Sequence, residues 1–168
     1  MLRLFFFFVN FLVWSSGCLA QFNWAEIGVN GLTCSQCSRS VEMEIRKLDF
    51  VQDVQMDLQH TQGKIIFKPG AKVYIEKIAR AVKNAGFSVR YLKADLLLNN
   101  ITVNESGCLP YGNRTYQFIN SNSPIPEHEV VIQFIGRDYL PKAEYKAWQQ
   151  QLKPKCGDKE NLFYVTPA

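Results

Sequence analysis

Residues 21–92 predict an α+β unit of order βαββαβ, and residues 93–168 predict a small mostly-β region with one helix. Three observations carry this reading. Residues 38–48 and 73–85 space their apolar positions at helical period. Residues 51–58 alternate apolar and polar with period two, as a half-buried strand does. Turn formers mark the joints, at Gln59-His60-Thr61-Gln62-Gly63, Pro69-Gly70 and Asn84-Ala85-Gly86.

In chain order, residues 22–32 read as a first strand. The first helix carries Cys37, Val41, Ile45 and Leu48 on one face. Residues 51–58 form the next strand, and residues 64–67 return after the turn. The second helix lines up Ile75, Ile78, Ala79, Val82 and Ala85, and Gly86 ends it as a glycine cap. Residues 87–92 close the unit. This order defines a ferredoxin-like split βαβ arrangement, an antiparallel sheet with both helices on one face.

The second half is plainer. Leu96-Leu97-Leu98 leads an apolar run that continues through Ile101 and Val103. Gly107-Cys108-Leu109-Pro110-Tyr111-Gly112 has turn chemistry. Strands are expected at 115–119, 130–135 and 162–165. A helix is expected from Pro141 through Leu152, packing Ala143, Tyr145, Trp148 and Leu152. No His–acid pairing or glycine-rich phosphate loop appears, so no enzymatic reaction is assigned.

Composition sets outer limits. Hydrophobic residues make up 47% of the chain, enough for a packed core. The net charge of +4 comes without a dense Lys/Arg block, which argues against a nucleic-acid partner. Residues 1–20 match a secretory signal peptide: Arg3, an apolar run from Leu4 to Val13, then Ser15-Ser16-Gly17-Cys18-Leu19-Ala20. Cleavage before Gln21 fits Ala20. Lipidation at Cys18 is the other reading, giving a membrane tether through lipid alone. The chain is therefore expected to be exported, to a periplasm or outside the cell.

Removing that segment leaves Cys34, Cys37, Cys108 and Cys156. An oxidising compartment permits disulfides. Cys108 and Cys156 are expected to join, closing a loop of about 50 residues. Cys34 and Cys37 are different. They lie between a strand end and a helix start, where free N–H groups and the helix dipole favour thiolate. Two soft ligands on one loop suit Cu(I), which accepts two-coordinate thiolate binding. Zn²⁺ or Hg²⁺ could also bind, although a structural zinc site usually has four ligands.

Gly31-Leu32-Thr33-Cys34-Ser35-Gln36-Cys37, Ser40-Val41-Glu42, Val51-Gln52-Asp53-Val54 and Asn84-Ala85-Gly86-Phe87 together resemble the heavy-metal-associated domain. That family includes copper chaperones, domains of copper-transporting ATPases, and periplasmic mercury-binding proteins. The resemblance covers about residues 23–92. It implies that Cys34 and Cys37 are the metal thiolates, with Thr33 and Leu32 supporting the loop. It also implies that Phe87 shields the site from water. Leu32 replaces the family's usual Met and keeps its volume. The implied partner is a metal donor or acceptor protein such as a metal transporter, and the implied act is ligand exchange rather than catalysis.

The rival reading is a thiol–disulfide redox protein using the same pair. Such proteins usually have the thioredoxin fold, whose element order differs. Met43 and Met56 could be imagined as thioether ligands, but their spacing fits ordinary packing. His60 is expected in a turn away from the cysteines, exposed to water. Glu127-His128-Glu129 reads as an exposed loop. Asn-x-Ser/Thr sequons occur at Asn100, Asn104 and Asn113.

Overall fold

The computed structural model describes residues 22–98, 103–104, 106–111, 113–119, 128–157 and 161–168. The signal-like segment with Cys18, and also Asn100 and Glu127, lie outside them. The first unit runs β1 (Trp24–Asn30), α1 (Ser35–Arg46), β2 (Val51–Asp57), β3 (Gln62–Phe67), α2 (Ile75–Asn84) and β4 (Ser88–Leu97). The second half follows as β5 (Cys108–Tyr111), β6 (Arg114–Phe118), β7 (Glu129–Ile135), α3 (Lys142–Trp148) and β8 (Leu162–Pro167).

Both helices keep the expected apolar faces. α1 starts at Ser35, three residues before the expected 38, because Cys34 caps it, and it ends at Arg46, two before Leu48. α2 runs Ile75–Asn84, within the expected 73–85. α1 buries Val41 and Ile45, with Ser38 beside them. α2 buries Ile75, Ile78, Ala79, Ala81 and Val82. Each presents one apolar stripe to the sheet, which is the face a helix must cover. Gly86 takes φ +88°, the left-handed conformation that a residue with a Cβ rarely adopts.

The boundary expected at 92/93 does not divide the molecule. It falls inside β4, whose far half, Lys93 to Leu97, pairs with β7. All eight described strands join one sheet, in the order β2-β3-β1-β4-β7-β8-β6-β5. Neighbours are antiparallel except β6 and β8, which run parallel. The cause lies in β4 itself. Ala94, Leu96 and Leu98 continue the burial that Val89 and Leu92 begin, so the strand had no reason to stop.

One core accordingly spans both halves. Phe22 packs edge-on against Tyr116 and Phe134, with centroids 6.2 and 6.3 Å apart. Phe163 stacks on Tyr116 at 5.8 Å. Such aromatic pairs add about 1 kcal/mol each beyond their buried area. Arg114 ties β6 to α2. Its Nη2 donates to both Glu76 oxygens at 2.9 Å, and Nη1 donates to the Val73 carbonyl at 3.1 Å. The guanidinium lies 5.2 Å from the Tyr74 and Phe163 rings, so the charge is covered on both faces.

Other expectations in the second half need correction. Cys108 to Tyr111 is a strand and not a turn, because β6 supplies a full ladder of partners for it. The last helix ends at Trp148 and does not reach Leu152. Ala143 is exposed, and α3 buries none of its residues completely. Tyr145, Trp148 and Leu152 cover only the small cluster of Ile119, Ile135 and Leu140, too little apolar area to extend the helix. No described helix is long and apolar enough to cross a membrane.

Asp95 fastens the start of β1. Its carboxylate is fully buried and accepts from the Trp24 N–H at 2.7 Å and the Asn23 N–H at 2.9 Å. Burial pushes the carboxyl up, and the two backbone donors pull it partly back. Asp95→Ala should cost about 1–3 kcal/mol, because it removes the acceptor of two partly buried N–H groups, Asn23 and Trp24. Asp95→Asn should cost less. A carboxyl raised in the folded state contributes stability below its unfolded pKa and loses it as pH rises through the folded value. Urea unfolding at several pH values should therefore show wild type losing ground to Asp95→Asn as pH rises above the ordinary carboxylate range. A gain over that interval would mean that the donors outweigh burial.

Candidate metal site at the start of helix α1

β1 delivers the chain to the site, and Gly31 turns it. Gly31 takes φ +82°, and the Thr33 N–H donates to its carbonyl at 2.9 Å. Leu32 points into the core at 2% exposure, anchoring the loop from below. Thr33 and Cys34 are exposed, and Cys37 is half-buried. The loop thus holds its apolar residue inward and its thiols at the surface.

Cys34 is the N-cap of α1. Its backbone is extended (φ −142°, ψ 158°), and its Sγ accepts from the Cys37 N–H at 3.1 Å. Its carbonyl accepts from the Ser38 N–H at 3.1 Å, which starts the helix. A sulfur in this position meets the positive end of the helix dipole. No acidic residue occupies the first turn, and Arg39 follows at the surface. This electropositive setting favours a thiolate once the sulfur is reduced.

In the structure Cys34 and Cys37 are joined as a disulfide, with Cα atoms 5.2 Å apart. The spacing of three residues around one turn brings both sulfurs to the same point. Cys108 and Cys156 form a second disulfide, with Cα atoms 5.7 Å apart. Among the described residues no group of three or more His, Cys, Asp or Glu side chains converges as a metal cage. Any metal at the loop would rest on the cysteine pair.

The neighbours of the loop come from three other segments. Phe87 begins the approach to β4, donates its N–H to the Val82 carbonyl at 3.1 Å, and is half-buried against the core. A Cβ on Gly31 would lie 3.8 Å from the Phe87 ring, so Phe87 borders the loop. The Val29 N–H donates to the Thr61 carbonyl at 2.9 Å. That bond brings the β2–β3 turn to the end of β1, beside the cysteine loop. The antiparallel β1–β3 pair puts this turn and the cysteine loop at the same end of the sheet, and among the described residues His60 forms no metal-ligand group with the two cysteines. The His60 side chain is exposed and its Nδ1 contacts Asp57 at 2.6 Å, which holds the Asp57 carboxyl below its ordinary value.

Arg90 was not anticipated. It is the extra residue of a bulge, since Gly28 faces Tyr91 and Val29 faces Val89. Its Nη2 donates to the His60 carbonyl at 2.8 Å, so it clamps the turn against β4. Bulges commonly re-aim a side chain beside a functional loop. Only the register could have revealed it. Met56 packs on the core over Gly63, whereas Met43 is exposed on α1. Neither joins the cysteines.

With this loop in place, the sequence of residues 26–88 matches the family model of the heavy-metal-associated domain. Residues 26–88 form a heavy-metal-associated domain. The matched span is less than half of the chain. A copper-transporting ATPase of Oryza sativa subsp. japonica is 31% identical over 75 residues, covering 45% of this chain and 7% of the ATPase. The copper chaperone CopZ of Staphylococcus haemolyticus is 28% identical over 64 residues, covering 38% of this chain and 93% of the chaperone. The crystal structure of oxidised MerP from Ralstonia metallidurans is 31% identical, with a TM-score of 0.36, covering 39% of this chain and 93% of that one. The chain spans less than a tenth of the length of the ATPases it matches. The heavy-metal-associated domain thus accounts for β1 to the start of β4, and the rest of the sheet is built onto its β4 edge.

Proposed function

We propose that the reduced protein binds one Cu(I) ion through the Cys34 and Cys37 thiolates and passes it to a thiol-bearing partner. The observation that carries this is the cysteine pair at the N-terminus of α1, inside a heavy-metal-associated domain. The similarity to copper-transporting ATPases and a copper chaperone supports copper as the cargo. Thiolate softness supports Cu(I) over harder ions, with Hg²⁺ and Zn²⁺ as the competitors. The exposed side of Cys34 leaves room for an incoming thiol, so transfer is ligand exchange and not catalysis. A metal donor or acceptor such as a transporter domain is the fitting partner. The signal-like first 20 residues support export as the setting.

Disulfide and metal exclude each other at this loop. A disulfide offers no thiolate, so loading requires two-electron reduction of Cys34–Cys37 by a dithiol first. Anaerobic titration against a chromophoric Cu(I) chelator tests this. The reduced full chain should take one equivalent, and the fully oxidised chain none. Equal uptake by both forms would sink the reading. Parallel titrations with Hg²⁺ and Zn²⁺ rank the cargo.

A further inference from the structure

Among the described residues, one buried side-chain nitrogen or oxygen has no hydrogen-bond partner, the Nε of Arg90. Among the same residues, one residue other than glycine has a positive φ, Thr61 at +50°. Each feature costs stability. The two lie side by side. The Arg90 Nη2 donates to the His60 carbonyl at 2.8 Å, and the Thr61 Oγ1 donates to the same oxygen at 2.7 Å. Costs of this kind persist where the surrounding structure forces them, and they gather near functional sites.

The bulge leaves Arg90 without a partner on β1, between the pairs Gly28–Tyr91 and Val29–Val89. Its Nε lies against Gly28, 3.0 Å from where a Cβ would stand, and the Tyr91 ring is closer still. A side chain at position 28 would push both away, so the glycine lets Arg90 reach across β1 toward the turn.

That turn meets the chain just before the cysteine loop. The Thr61 carbonyl accepts from the Val29 N–H at 2.9 Å. Between Val29 and Cys34 only Leu32 is buried. Cys37 belongs to α1, which Val41 and Ile45 pin to the core. Cys34 ends the incoming segment, so its placement against Cys37 depends on how firmly that segment is held. Firm holding lowers the entropy cost when the two sulfurs join a metal or each other.

We propose that Arg90 is a positioning residue for the Cys34–Cys37 pair. It holds the His60 carbonyl, the turn holds Val29, and Val29 holds the base of the loop. For the metal this role rests on the Cu(I) reading above. For the thiols it does not, because the same holding favours the disulfide over the dithiol. In that equilibrium dithiothreitol gives two electrons and two protons to Cys34–Cys37 and is itself oxidised to a cyclic disulfide.

Two substitutions in the full chain isolate the hydrogen bond. Arg90→Met keeps the apolar stem and removes the donors, and Arg90→Lys returns a donor. Equilibration with reduced and oxidised dithiothreitol, alkylation and peptide mass give the dithiol fraction at Cys34–Cys37. Arg90→Met should favour the dithiol about tenfold more than wild type does, and Arg90→Lys should recover most of that difference. Chelator competition should show Cu(I) bound about tenfold more weakly by Arg90→Met, again recovered by Arg90→Lys. Amide exchange should speed at Val29 in Arg90→Met and stay unchanged at Leu92, which separates local loosening from a general loss of stability. A folded Arg90→Met with the thiol equilibrium and Cu(I) affinity of wild type would overturn the proposal. So would an Arg90→Lys no better than Arg90→Met. If Arg90→Met does not fold, Arg90→Gln, polar but shorter, takes its place with the same expected shifts. A wild type that takes up no Cu(I), alongside a shifted thiol equilibrium in Arg90→Met, would overturn the Cu(I) reading and support the positioning role.

Discussion

Serine at both positions 34 and 37 should abolish Cu(I) uptake by the reduced chain while leaving α1 intact. The reason is that the two roles of Cys34 separate on substitution. Its Sγ caps the helix by accepting from the Cys37 N–H. A serine hydroxyl is a preferred N-cap acceptor, so the helix should start where it does now. A hydroxyl is a hard, neutral donor and cannot replace a thiolate toward a soft ion. Each single variant should lose more than about 100-fold in Cu(I) affinity, which is the most that an outer, supporting residue usually costs. Chelator competition gives the affinity, and thermal unfolding checks the fold. Affinity kept within about tenfold of wild type, with the fold intact, would remove the pair from the metal site.

The second large effect should fall on stability. Cys108→Ala/Cys156→Ala opens a bridge between residues 48 apart, joining the start of β5 to the segment after α3. The chain-entropy model assigns about 4 kcal/mol to a closed loop of that length. Both halves share one core, so the loss should appear in the single global transition of a urea melt and not as a separate early step. Cu(I) affinity of the reduced protein should hardly change, because the bridge is anchored at β5, five strands along the sheet from β1. A drop below about 1 kcal/mol would mean that native packing alone holds residues 153–157 in place. Gln117 would then carry that duty, since its side chain already accepts from the Lys155 N–H and donates to the Lys153 carbonyl.

Local chemistry made much of the first unit legible. Val41 and Ile45 recur at helical spacing and are buried on α1. Val54 and Met56 keep the inward face of β2 that alternation predicts. Val51, by contrast, is buried through a register shift between Val51 and Asp53, and Leu58 is exposed beyond the strand. The pairing of Cys108 with Cys156 concerned residues far apart, yet cysteine count and compartment were enough to raise it. The second half was less legible for a physical reason. β5 is four residues long with a proline in it, and it exists because β6 lies beside it. Its turn-like composition was real, but the ladder outweighs it. That the turn carrying His60 meets the end of β1 was not legible either, because strand pairing and not sequence distance joins Thr61 to Val29.

The sequence by itself determined the cysteine loop and the helix that follows it. Gly31, Leu32, Cys34 and Cys37 act within one turn of chain, through a positive φ, a buried anchor and an N-cap, and such short-range geometry is written in residue order. Tertiary structure alone decided that the described strands form one sheet across both halves. Whether Lys93 to Leu97 ends a strand or continues it depends on a partner, β7, that arrives more than 30 residues later. Long-range hydrogen-bond ladders and a shared aromatic core set that choice, and no local pattern encodes it.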